Sequence, residues 1–149
     1  MIRPILIVTR GLPASGKTTL ALEKLRQEPE RWARVNRDAL REHTFGIMPM
    51  LSPAGEQNLT KVQTWMIRSL FQAGLNVVAD DTNLPEARMK GWEEFARWNH
   101  AALEVWDLRD IPVETCLDRD RARIARGERG VGDDVILRLA QYLPAKETS

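Results

Sequence analysis

In VNRDALREHT, residues 35–44, one carboxylate, Asp38, stands between two cations, Arg37 and Arg41. A carboxylate in that setting is commonly an ion pair on a helix surface. It can also act as a base, because an aspartate of ordinary pKa, about 4, is ionised at pH 7 and accepts a proton or hydrogen bond from a hydroxyl. The neighbouring arginines favour the ionised form.

The stretch GLPASGKT, residues 11–18, satisfies the pattern G-x-x-x-x-G-K-[ST]. Its context is the required one, with an apolar run before it and a helical pattern after it. The glycines allow the chain to curl so that backbone N–H groups face phosphate oxygens, and the helix start adds the positive end of its dipole. Gly11, Pro13, Ala14, Ser15, Gly16 and Thr19 are the expected loop residues. Lys17 is expected to reach the β- and γ-phosphates of ATP, and Thr18 to hold Mg²⁺. A Gly/Ser/Pro turn could match by chance, but strand, loop and helix in register make nucleotide binding the firmer reading. The sequence has no NKxD-like guanine-reading stretch, which argues against a GTPase.

Two further groups could serve that chemistry. VVADDTN, residues 77–83, puts Asp80 and Asp81 at the end of an apolar run, where ligands gather in open parallel sheets. Asp81 is the expected Mg²⁺ acid, acting through water; a strand-ending turn is the plainer alternative. Between 119 and 129 lie Arg119, Arg121, Arg123, Arg126 and Arg129. Arg119, Arg123 and Arg126 are spaced to share one helix face. A solvated helix paired with Asp118, Asp120 and Glu128 would explain the run, yet the glycine-punctuated RGERGVG after it suggests a lid that carries guanidiniums over ATP.

These residues need a scaffold that places them together. Apolar, β-branched runs predict strands at 4–9, 32–36, 75–80 and 102–108. Helical patterns fall at 17–27, 56–74, 85–99, 113–129 and 130–143, with Pro85 and Pro112 as openers and Asp133 or Asp134 as a cap. Leu20, Leu22 and Leu25 are expected on an inner face of the first helix. Leu59, Val62, Met66, Leu70 and Phe71 are expected on that of the longest one. Residues 44–55, rich in Pro and Gly, read as a loop, and 144–149 as a frayed tail. The alternation implies βαβ units: a P-loop-type three-layer α/β/α sandwich with a mostly parallel four-stranded sheet and a helical lid.

The 149 residues suit one domain, 1–149. A net charge of +1 gives no global basic field, so contact with nucleic acid would rest on a local patch. The single cysteine, Cys116, excludes an internal disulfide framework and fits a reducing, cytoplasmic setting. No apolar run approaches a membrane span, and MIRPILIVTRG is not expected to be a signal peptide.

Taken together, GLPASGKTTLA, VNRDALR, DTNLPEARMKGWEEFA and the basic lid with its following VGDDVI resemble the 5′-kinase domain of phage polynucleotide kinase, a member of the P-loop kinase superfamily. The resemblance covers nearly the whole chain, in order. It implies that Asp38 is the general base for an acceptor hydroxyl and that Arg41 contacts the phosphate beside the acceptor nucleoside. It gives Lys17 and Thr18 the P-loop roles and Arg119 a place at the donor nucleotide. Arg123 matches the lid arginine on the donor phosphates, with Arg126 as competitor. Asp81 and Asn83 match DTN at the substrate side, and the chain is expected to be a kinase alone, acting on DNA or RNA with ATP and Mg²⁺. Alternative acceptors are a hydroxymethyl-pyrimidine such as 5-hydroxymethyluracil within phage DNA, or a small molecule as in zeta-toxin-like kinases. An ATP-dependent switch module is the non-enzymatic alternative. Phe45, Met48, Met50 and Leu51 could form an apolar acceptor surface, with Phe45 or Trp65 stacking on a base; Trp65, Trp92 and Trp98 are more simply core residues.

Overall fold

The computed structural model describes residues 2–46 and 50–145, so Met48 lies outside the described residues. Four strands, β1 (Ile5–Arg10), β2 (Trp32–Arg34), β3 (Asn76–Ala79) and β4 (Ala102–Asp107), form one sheet in the order β2-β3-β1-β4. Every pairing is parallel, with Leu6 opposite Val77 and Leu103. The helices are α1 (Lys17–Gln27), α2 (Arg37–Phe45), α3 (Pro53–Gln72), α4 (Glu86–Trp98), α5 (Val113–Ala125) and α6 (Asp133–Leu139).

β1 is central and buried on both faces, as its continuous apolar run requires. Leu6 and Val8 join Val77, Ala79, Ile67, Met89 and Trp92 under α3 and α4. Ile7 and Val78 face the other way, onto Ala21 of α1 and Trp32. A third cluster, Leu12, Leu84, Cys116, Leu117 and Ile136, seats α5 and α6 against the loop that leaves β1. The α/β/α sandwich with a parallel four-stranded sheet is therefore the observed architecture.

Several boundaries differ from the sequence reading, each for a local reason. Residues 44–55 are not wholly loop. α2 runs to Phe45, where Gly46 closes it at φ 67°, and Ser52 caps α3 by accepting the Gly55 N–H ahead of the expected start. Gly74, at φ 85°, ends that helix as expected, its N–H donating to the Phe71 carbonyl. The basic helix stops at Ala125. Neither acid caps α6 with its side chain, because Gly132 holds that position and Asp133 is bonded to Arg121. Leu22 and Met66 point outward, while Ala21, Gln63 and Ile67 take the inner positions. Of the three tryptophans expected in the core only Trp92 is buried; Trp65 is 65% and Trp98 84% exposed.

Candidate active site

The site begins where β1 ends. Arg10 is buried because its guanidinium donates to the carbonyls of Asn83 and Leu84. The Gly11 N–H donates to the Thr82 carbonyl at 3.0 Å, so the loop after β1 and the turn after β3 are locked side by side. A Cβ on Gly11 would lie 2.6 Å from Ser15 Oγ and 3.2 Å from Leu108 Cβ, which only glycine avoids. Ala14 at φ 65° and Gly16 at φ 110° curl the loop into the start of α1, which has no side-chain cap. Ser15 Oγ is buried without a partner. An orphaned hydroxyl inside a concave loop at an uncapped helix start is what a phosphate oxygen would satisfy. Thr18 and Thr19 are exposed in the first turn of that helix.

Lys17 lies back across the loop, its Nζ donating to the carbonyls of Gly11 at 3.0 Å and Leu12 at 2.5 Å. Burial pulls its pKa down to about 8, opposed by the charges of Asp80, Cys116, Asp81 and Asp38. Lys17 thus lies within electrostatic reach of the three aspartates singled out by the sequence, Asp38 the weakest of them.

The paired acids after β3 divide. Asp81 accepts from the Arg37 N–H at 2.7 Å through Oδ1 and from Gln63 Nε2 at 2.7 Å through Oδ2. Burial raises its pKa to about 6 against those two bonds. Both oxygens of Asp81 thus accept from protein donors and tie α2 and α3 to the turn after β3; this is the acid expected to hold Mg²⁺ through water and to lie on the substrate side. Asp80 is bound on Oδ2 by Arg34 at 2.7 Å, while Oδ1 has only the distant Asn36 amide at 3.4 Å. Asp80 is 2% exposed with its side chain fully covered, and it is the first of the charges acting on Lys17. Among the described residues no cluster of three metal-ligating side chains occurs, so a Mg²⁺ site here would be of the kind that relies on phosphate and water ligands. Thr18 and Asp81 are the residues the sequence offers for it. Asn83, expected at the substrate, is 5% exposed. Its side-chain amide donates to the Thr9 carbonyl and accepts from the Trp92 indole N–H.

α2 is positioned by Asn36, whose side chain accepts from the Ala39 N–H while its amide reaches the Asp80–Asp81 pair. This puts Asp38 in the first turn, its side chain 65% exposed. Arg41 Nη1 donates to Asp38 Oδ1 at 2.5 Å; Oδ2 has no hydrogen-bond partner among the described residues. Arg37 and Arg41 are both buried, at 7% and 4% exposure. Glu56 of α3 takes Arg41 through both carboxylate oxygens, and its backbone carbonyl accepts from Arg37.

The lid brings some of its arginines inward and leaves others out. Arg119 Nη1 donates to the Ala14 carbonyl at 3.3 Å, which places it on the P-loop. Arg123, one turn later, is half-buried. Arg126 lies past the end of α5 and is paired with the exposed Glu128, so it does not share the helical face expected for it. Asp120, 1% exposed, accepts from the N–H groups of Val131 and Gly132 at 2.9 Å and closes the turn between α5 and α6. Arg129 reaches across to Glu42 on α2.

Sequence reasoning did not single out Glu56, Gln63, Thr60 or Arg34. One signal was available: two arginines four apart on a helix face that becomes buried require a carboxylate from elsewhere. Which carboxylate is a matter of the α2–α3 packing, invisible to spacing alone.

A parallel sheet with a phosphate-binding loop after its central strand, acids after the next strand and an arginine-bearing helical lid defines a P-loop domain of the kinase type. Residues 6–145 match the model of the AAA domain family designated AAA_33, and the chain belongs to that family. It superposes over 96% of its length on a chain of the Pnkp1/Rnl/Hen1 RNA repair complex, with a TM-score of 0.82 and 28% identity, spanning 45% of that chain. A second Pnkp1/Rnl/Hen1 structure matches 80% of this chain and 40% of that one, with 31% identity and a TM-score of 0.71. The present chain thus spans less than half the length of either. The APS kinase CysC of Mycobacterium tuberculosis, in complex with AMPPNP and APS, shares the fold at 18% identity and a TM-score of 0.67, with 87% of this chain and 75% of that one covered. No curated protein matches the sequence.

Proposed function

We propose that this chain is an ATP- and Mg²⁺-dependent polynucleotide kinase that transfers the γ-phosphate of ATP to a 5′-hydroxyl end of DNA or RNA. The observation that carries the reading is Asp38: an exposed carboxylate in the first turn of α2, held on one oxygen by the buried Arg41, with its charge acting on Lys17. The likeness to chains of the Pnkp1/Rnl/Hen1 RNA repair complex at 28% and 31% identity supports the same choice.

In the proposed reaction the P-loop N–H groups, Ser15 and Lys17 hold the donor phosphates. Bound Mg²⁺ would supply charge neutralisation, with Thr18, and Asp81 through water, as the residues that would hold it. Asp38 Oδ2 accepts the proton of the acceptor hydroxyl as its oxygen bonds to the γ-phosphorus. The bond from the γ-phosphorus to the β–γ bridging oxygen breaks, and ADP leaves. Lys17 and the lid arginines, Arg119 at the loop and Arg123 behind it, offset charge on the transferring group. Arg41 contacts the acceptor's neighbouring phosphate, which favours a polynucleotide over a free sugar.

The test is transfer from γ-labelled ATP to three acceptors: a 5′-hydroxyl oligonucleotide, an end-blocked duplex carrying 5-hydroxymethyluracil, and free nucleosides. Label on the oligonucleotide alone is expected. Label confined to the blocked duplex or to nucleosides would assign a different acceptor, and label on none would leave a nucleotide-binding switch.

A further inference from the structure

Arg41 is nearly buried, yet it carries the contact on which acceptor recognition depends in the reading above. Its Nε and Nη2 donate to Glu56 Oε2 and Oε1 at 3.0 and 2.7 Å, a side-on fork that uses one edge of the planar guanidinium. Nη1, on the end edge, donates to Asp38. A guanidinium held at two points on one edge cannot swing about its terminal bonds, so the direction of its end edge is set by Glu56. Glu56 is itself fixed. It lies in the first turn of α3, its backbone carbonyl accepts from Arg37 Nη2 at 2.8 Å and its carboxylate lies 3.7 Å from the same group. Arg41 holds that carboxyl below its usual range.

We infer that Glu56 is a positioning residue for the acceptor: it locks Arg41 so that the Nη1–Nη2 edge faces both Asp38 and the phosphate next to the incoming hydroxyl. The inference rests on the polynucleotide kinase reading. It adds that acceptor recognition extends to α3, through a residue that itself touches neither nucleotide nor acceptor. A carboxylate that merely neutralised two buried arginines would leave the choice of acceptor untouched. One that aims Arg41 sets acceptor affinity selectively.

Two variants separate shape from charge. Glu56→Gln keeps the length and loses the charge, while Glu56→Asp keeps the charge but is one methylene too short for the fork. Steady-state kinetics with a 5′-hydroxyl oligonucleotide should show the acceptor KM raised about tenfold or more in both, with the ATP KM within about twofold of wild type. In an Arg41→Lys background, where no fork can form, adding Glu56→Gln should move the acceptor KM no further. An unchanged acceptor KM in Glu56→Asp, equal shifts in both KM values, or additive effects with Arg41→Lys would overturn the inference. If Glu56→Gln does not fold, Glu56→Asp decides alone. A wild-type protein that labels no polynucleotide overturns the kinase reading and this inference with it; one that labels it normally while the variants keep its KM overturns this inference alone.

Discussion

Lys17 shows how one residue carries both structure and chemistry. Its ammonium is turned onto the carbonyls of Gly11 and Leu12, in a pocket that burial makes unfavourable for charge. A bound triphosphate supplies the anions that the loop lacks, so the lysine that loses its proton near pH 8 in the free protein keeps it in the complex. Nucleotide binding should therefore be accompanied by proton uptake above pH 8. Below that value Lys17 is charged in both states and affinity is flat in this respect. Above it, affinity should fall by up to about tenfold per pH unit until the pKa of the bound state is approached. Calorimetry of ATP binding at pH 7 and pH 9, in buffers of different ionisation enthalpy, checks this; equal affinity and no proton uptake at pH 9 would refute it. The P-loop pattern and NRDxxR were legible in the sequence as candidate site elements, carrying Lys17, Asp38 and Arg41. Partnerships were not legible. Asp80 and Asp81 are adjacent and chemically equivalent on paper, and only the folded chain shows Gln63 and the Arg37 N–H enclosing one of them.

At the scale of elements, the turn between α5 and α6 is closed by a buried carboxylate. Asp120 accepts two backbone N–H groups from the turn into α6, and Gly130 packs so tightly beside it that a Cβ there would lie 2.6 Å from Ile124 Cγ1 and 2.9 Å from Asp120 Oδ1. Asp120→Asn presents an amide N–H₂ to one of those donors and leaves it unpaired, at a local cost of about 1–3 kcal/mol. Hydrogen exchange at residues 130–132 should quicken about tenfold or more, and the ATP KM should rise as Arg119 and Arg123 lose their footing. Unaltered protection in that turn would show that the hydrophobic seat of α5 and α6, not Asp120, holds the lid. The sequence placed a basic helix and a glycine-rich turn correctly. It extended the helical face too far, because the charge periodicity continues through Arg126 while the backbone stops at Ala125. Likewise the α2 helix hid inside a stretch whose charged residues carry no apolar stripe: its buried side chains are Arg37 and Arg41.

For the whole molecule, the order of elements was readable because the inner strands β1 and β3 are buried and so print as continuous apolar runs, whereas the edge strand β4 is largely exposed. The positions that misled are those where burial departs from hydropathy. Gln63 is inside because its amide serves Asp81, and Trp65 and Trp98 are outside although aromatic. Among the described residues no helix is long and apolar enough to cross a membrane. What the fold achieves is convergence: the loop after β1, the turn after β3, the start of α2 and the lid meet at one end of the sheet, bound by contacts such as Gly11 to Thr82, Asp81 to Arg37 and Arg119 to Ala14. The central claim is that this convergence serves transfer to a hydroxyl activated by Asp38. Single-turnover transfer from γ-labelled ATP to a 5′-hydroxyl oligonucleotide, measured beside ATP affinity for wild type and Asp38→Asn, tests it most directly. The rate is expected to fall by about 10²–10⁴-fold in the variant with ATP affinity retained; transfer by Asp38→Asn at close to the wild-type rate would contradict that role for Asp38.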